Sequence, residues 1–124
     1  KYGANRWICD EIKKTPVHYV AQTSSIKITK VLLEDADLSY IDLQDLDLQT
    51  PLHLAVNPLF DDAKIAEMVE YLLSKGADPE IRDSNGQSPL DIAKSHRLKN
   101  TAHALRMAMY SFRYRPLSLF RKSS

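Results

Sequence analysis

Four histidines and a single cysteine are the side chains of this 124-residue chain best suited to nucleophilic, acid–base or metal chemistry. His96 and His103 are seven apart and would share one helix face in metal-ligand geometry, but no carboxylate or Cys accompanies them at ligand spacing, so they read as surface histidines. Cys9 has no base in view and no second cysteine, which excludes an internal disulfide and leaves no case for a nucleophile. With only three glycines, Gly3, Gly76 and Gly86, widely separated, there is no phosphate-cradling loop. His18 and His53 occupy matching places in two similar strings, and a third string has Asp91 there, an exchange that a shared catalytic role would not accept. The expectation is a non-catalytic chain with no metal and no cofactor.

Those strings point to the elements that must carry them. Thr15-Pro16-Val17-His18, Thr50-Pro51-Leu52-His53 and Ser88-Pro89-Leu90-Asp91 recur at spacings of 50 − 15 = 35 and 88 − 50 = 38. Each is a helix start: the hydroxyl accepts from free amides of the first turn, and Pro, which has no amide to satisfy, takes the first helical position. Asp91 follows Ser88 by three, close to a capping box. A second amphipathic pattern follows at Ile26 to Leu33 and again at Ile65 to Leu73. The unit is a short helix, a tight turn and a longer helix, and the fixed period makes the chain a repeat array.

These strings resemble the ankyrin repeat, whose signature is T-P-L-H-x-A with a period of about 33 residues. The best-matched stretch runs from Leu72-Leu73-Ser74-Lys75-Gly76-Ala77-Asp78-Pro79 through Asp83-Ser84-Asn85-Gly86-Gln87-Ser88-Pro89-Leu90, with Gly76 as a left-handed helix cap and Asn85-Gly86 as a tight turn. The resemblance covers Gly3 to about Tyr110 and implies an all-α solenoid of helix–turn–helix units joined by β-hairpin-like fingers. The alternative is another helical-pair solenoid. It also implies that His18 and His53 hold the turn by hydrogen bonds. Five segments follow: 1–14, the finger of a truncated preceding repeat; 15–49, a repeat with an enlarged finger that lacks the terminating Gly; 50–87, a repeat whose inter-helix turn is lengthened by Asn57 to Asp62; 88–110, a capping repeat; and 111–124, a basic tail or linker. Leu52, Leu54, Ala55, Leu72, Leu73, Leu90 and Ala93 are expected in the core.

Gly3-Ala4-Asn5 and Asp10 stand as far ahead of Thr15 as Gly76-Ala77-Asp78 and Asp83 stand ahead of Ser88. Further repeats or a different domain are therefore expected upstream, since Trp7, Ile8 and Ile12 suit a stacked interface better than a surface. The absence of an initiator Met and of a signal-peptide opening agrees with a chain cut from something longer. A lone cysteine and no membrane-length apolar run lead to the expectation of a cytoplasmic or nuclear setting. Net charge is only +1, but it is segregated: residues 31 to 63 hold eight acids and no Lys or Arg, whereas from Ile92 onward there are eight Lys or Arg and no acid. Tyr110, Phe112, Tyr114 and Phe120 interleave with arginines in the tail, yet the array carries no nucleic-acid motif, and a tail helix with solvated arginines is the expected form. Pro116-Leu117-Ser118-Leu119 resembles the stretch that follows the repeats of SOCS-box ankyrin proteins, which would make the chain the substrate-recruiting part of a ubiquitin-ligase adaptor.

The fold implies a protein-recognition module within a larger scaffold or adaptor, taking another protein and no small-molecule substrate. By resemblance the contacting positions are Cys9, Glu11, Ile12 and Lys14; Tyr40, Ile41, Asp42, Leu43, Gln44, Asp45, Leu46, Asp47 and Gln49; Arg82, Ser84, Asn85 and Gln87; and Gln22, Thr23, Asn57, Ser95 and His96. Within the enlarged finger, leucines 43, 46 and 48 alternate with Asp42, Asp45 and Asp47. Either the leucines fold under onto neighbouring repeats, or the finger binds a basic, partly apolar segment, with carboxylates steering and leucines supplying affinity. A structural spacer or self-association module is the rival from another class.

Overall fold

The computed structural model describes the backbone of residues 8–123 and the side chains of residues 8–111. Six helices run in chain order: α1 Pro16–Ala21, α2 Ile26–Leu33, α3 Pro51–Ala55, α4 Asp62–Ser74, α5 Pro89–Ser95 and α6 Lys99–Ser123, with a 3₁₀ turn at Leu38–Tyr40. Among the described residues there is no strand. α1 packs on α2, α3 on α4 and α5 on α6; along the stack α1 meets α3, α3 meets α5, α2 meets α4 and α4 meets α6. This is the helix-pair solenoid that the three strings imply.

The hydroxyls of Thr15, Thr50 and Ser88 each accept the N–H of the residue three positions on, so all three short helices begin with a completed capping box. Helices of 6, 5 and 7 residues are too short to persist alone, and packing must hold them. Val17, Ala21, Leu52, Ala55 and Ala93 of α1, α3 and α5 supply that packing against Leu33, Ile65, Met68, Val69, Leu72 and Leu105 of the outer helices. Leu54, expected in the core, is only partly buried, as are Leu73 and Leu90, and Leu52 is the fully buried leucine of α3. Pro51, Leu52, His53 and Ala55 of this five-residue helix are all buried, and Leu54 is the one residue of α3 that keeps some contact with solvent.

The residues added to the second repeat serve mainly to lengthen its outer helix. The turn before α2 spans residues 22–25 and that before α4 residues 56–61, but α4 has 13 residues against 8 in α2, beginning at Asp62 rather than Ile65. The absent glycine before the enlarged finger is replaced by Asp35, which adopts φ +58 where Gly76 adopts φ +99. Asp37 then caps the 3₁₀ turn through Ser39 N–H, and Ile41 descends from it into the core. The sequence boundary at 110 falls inside α6, which is one helix through Ser123. Gly3, Ala4, Asn5 and Trp7 lie outside the described residues, as do the side chains of Phe112, Tyr114, Phe120 and the 116–119 stretch.

Candidate protein-interaction surface

Each finger is built on one aspartate. Asp10, Asp45 and Asp83 stand five residues ahead of Thr15, Thr50 and Ser88, and their Oδ1 atoms each accept two backbone N–H groups: Ile12 and Lys14 (3.1 and 2.9 Å), Asp47 and Gln49 (2.9 and 3.0 Å), Asn85 and Gln87 (2.9 Å each). The same residues close each turn through their backbone, Asp45 N–H donating to the Gln49 carbonyl and Leu48 N–H to the Asp45 carbonyl, with equivalents in the other two fingers. The residue three after each aspartate takes a left-handed backbone: Lys13 at φ +64, Leu48 at +59 and Gly86 at +76. Only the last is a glycine, for which this region carries no steric cost.

Neighbouring fingers are joined by one repeated rung. Leu46 N–H donates to the Ile12 carbonyl and Ser84 N–H to the Asp47 carbonyl, both at 2.9 Å. At the base, the second and third fingers are each fastened by a histidine of the repeat before them. His18 Nδ1 receives the Thr15 N–H (3.1 Å), so that nitrogen carries no proton, and the Nε2–H donates to the Gln49 carbonyl at 3.1 Å. His53 repeats this with Thr50 N–H (3.1 Å) and the Gln87 carbonyl (2.9 Å). Burial drives both imidazoles below the ordinary histidine range, against the opposing pull of those carbonyls and of Asp45, with Asp83 adding to it at His53. Neither ring is open to a substrate.

The enlarged finger inverts what its alternation suggests. Asp45 is 3% exposed, with Oδ2 buried and without a hydrogen-bond partner among the described residues. Asp42 is half-buried and accepts Asp78 N–H at 3.0 Å, and desolvation raises its carboxyl above the ordinary range despite that bond. Leu46 and Leu48, in contrast, are 56% and 46% exposed. Two of three carboxylates fold under and two of three leucines face out, because only the carboxylate can satisfy the turn's free amides.

The expected contact residues therefore divide. Ile41 and Asp45 are buried and are withdrawn as side-chain contacts. Asp42, Leu43, Gln49, Gln87, Lys14, Gln22 and Asn57 are partly buried; Asn57 Nδ2 donates to the Gln22 carbonyl at 3.0 Å, a bridge between repeats. Cys9, Glu11, Ile12, Thr23, Tyr40, Gln44, Leu46, Asp47, Arg82, Ser84, Asn85, Ser95 and His96 are exposed. The rungs bring Ile12, Leu46, Asp47 and Ser84 onto one continuous edge, and Gln44 Nε2 joins the Leu48 and Arg82 carbonyls at 2.8 and 3.3 Å. The structural role of Asp45 was missed in the sequence although its spacing to Thr50 is that of Asp10 to Thr15.

Residues 2–83 match the family model described as "Ankyrin repeats (3 copies)". The chain belongs to the ankyrin-repeat family. It is 34% identical over 85 residues to human transient receptor potential cation channel subfamily A member 1, covering 68% of this chain and 7% of that protein. It is 34% identical over 91 residues to mouse ankyrin repeat domain-containing protein 53, 73% of this chain and 18% of that one, and 46% identical over 57 residues to human NF-kappa-B inhibitor alpha, 46% and 16%. The match thus spans less than a fifth of each of these relatives. Ankyrin repeats are in general protein–protein interaction modules rather than catalysts. Among the described residues of this ankyrin array, no cluster of three or more His, Cys, Asp or Glu is placed to hold a metal, and no helix is long and apolar enough to cross a membrane.

Proposed function

We propose that this array is the protein-recognition segment of a larger scaffold or adaptor and grips its partner along the finger edge. The observation that carries this reading is Leu48: a branched apolar side chain held in a left-handed backbone, half exposed, where the third finger has glycine. Strain of this kind persists only where the surrounding structure holds it, here the Asp45 turn, and such residues cluster at functional sites. With Ile12 and Leu46 it forms an exposed apolar row, and Asp47 adds a free-facing carboxylate. The fitting ligand is a basic, partly apolar segment, its affinity coming from the leucines and its steering from charge, now assigned to Asp47 rather than Asp45. A relative named for inhibiting NF-kappa-B also acts on another protein, which supports the class of partner.

The test is to recover the partner from native extract and compare Leu46→Ala, Asp47→Asn and a remote control, Glu67→Gln on α4. Slower association at low salt for Asp47→Asn and faster dissociation for Leu46→Ala, with the control unchanged, is the expected pattern; equal rates for all three would remove the fingers from the interface. Self-association has one observation in its favour, since Ile8 of the first finger and Ile28 and Val31 of α2 are exposed whereas Met68 and Val69 of α4 are buried by stacking. Light scattering separates the readings: the recognition module is monomeric at micromolar concentration, and a concentration-dependent dimer supports the rival.

A further inference from the structure

A second surface lies at the opposite end of the array. A groove of about 620 Å³ runs between the end of α5 and the start of α6, floored by Leu98 and Ala102 and ringed by Lys94, Arg97, Lys99 and Arg106. All four cations are exposed, and among the described residues none has an ion-pair or hydrogen-bond partner for its charged head. The sequence from Ile92 to Ser124 supplies no acid that could neutralise them.

We infer that this groove docks an acidic, partly apolar polypeptide segment. Charge complementarity names the sign of the occupant, and the aliphatic stems of the four cations over the nearly covered Leu98 and Ala102 (9% and 3% exposed) name its second property. A further ankyrin repeat is a poor fit. His18 and His53 each donate to a carbonyl of the following finger, but the third repeat has Asp91 at that place, engaged by Ser88 N–H and Arg82 at 3.1 Å each and with no proton to donate. Likewise Asp62, the first residue of α4, accepts the Asn100 and Thr101 N–H groups of α6 at 2.8 and 3.0 Å, whereas α6 itself begins with Lys99, which cannot accept. Nucleic acid is disfavoured because, among the described residues, no Trp, Tyr or Phe lines the groove for base stacking, and the ring that does line it is the His103 imidazole.

Fluorescence anisotropy at low salt tests this with a labelled amphipathic Glu/Leu peptide, its Gln-for-Glu analogue and labelled oligo-dT. The Glu/Leu peptide is expected to bind saturably, the Gln analogue about tenfold more weakly, and Lys99→Glu/Arg106→Glu to lose about tenfold, while the remote control Glu67→Gln leaves binding unchanged. Lys94→Glu, checked like the double variant for native circular dichroism, provides a second reversal expected to act in the same direction. Absence of saturable binding, insensitivity to both reversals, or tighter binding of oligo-dT than of the peptide would each overturn the inference. So would a groove-dependent dimer seen by light scattering, which would make a second copy the occupant.

Discussion

Asp45 and the two TPxH histidines show how side chains that look chemically available become structural. Replacing Asp45 with Ala removes the buried acceptor for two part-buried backbone amides and should cost about 1–3 kcal/mol, whereas Asn, which keeps one carbonyl oxygen there, should cost less than half of that. Urea midpoints check the order, and equal costs would mean that the carboxylate does not hold the turn. The histidines set a pH dependence. In the unfolded chain their imidazoles titrate in the ordinary range, while in the fold burial depresses them, so the unfolded state takes up protons first as pH falls. Their contribution is complete above the ordinary imidazole range and lost as pH drops through it. The urea midpoint should fall between about pH 7.5 and about pH 5.5, and His18→Gln/His53→Gln should flatten that slope. The Asp62 and Asp91 carboxyls are depressed as well, but from the carboxylate value, so their contribution is lost only lower, as pH falls through the carboxylate range.

At the scale of elements, the helix starts were legible because Thr-Pro and Ser-Pro state a capping geometry outright, and α2 runs from Ile26 to Leu33 as its periodicity predicts. Positive φ was not legible. Lys13, Ser24, Asp35, Leu48 and Arg97 adopt it without being glycine, and a sequence announces that conformation only through Gly or Asn. Without it at Asp35 and Leu48, an aspartate-based turn reads only as an alternation of leucines and aspartates. Two stability predictions belong here. Leu52→Ala should cost about 2–5 kcal/mol, Thr50→Ala about 1 kcal/mol and Leu54→Ala, at a partly buried position, less than Leu52→Ala, as read from urea midpoints. For Asp62→Ala, loss of the cap that α4 lends to α6 should cost about 1 kcal/mol and increase amide exchange at Asn100 and Thr101; unchanged exchange would mean that another group caps α6.

For the molecule as a whole, the charge axis visible in the sequence divides by use. In the acidic middle, Asp45 and Asp62 are spent on turns and caps and Asp42 is half-buried, which leaves the exposed apolar row with Asp47 as the distinctive feature of the fingers. At the basic end the charge is unspent. Partner-facing residues were less legible than the fold, because the same alternation of Leu and Asp encodes either face of a finger until the turn's hydrogen bonds are known. The most direct test of the finger as a binding edge is Leu48→Gly, measured for urea midpoint and for dissociation from the recovered partner. Glycine relieves the left-handed strain at the expense of some unfolded-state entropy, so the free protein should be unchanged or up to about 1 kcal/mol more stable. Dissociation should nevertheless be at least about tenfold faster, because the exposed side chain is gone. A more stable protein that releases its partner at the wild-type rate would contradict the account.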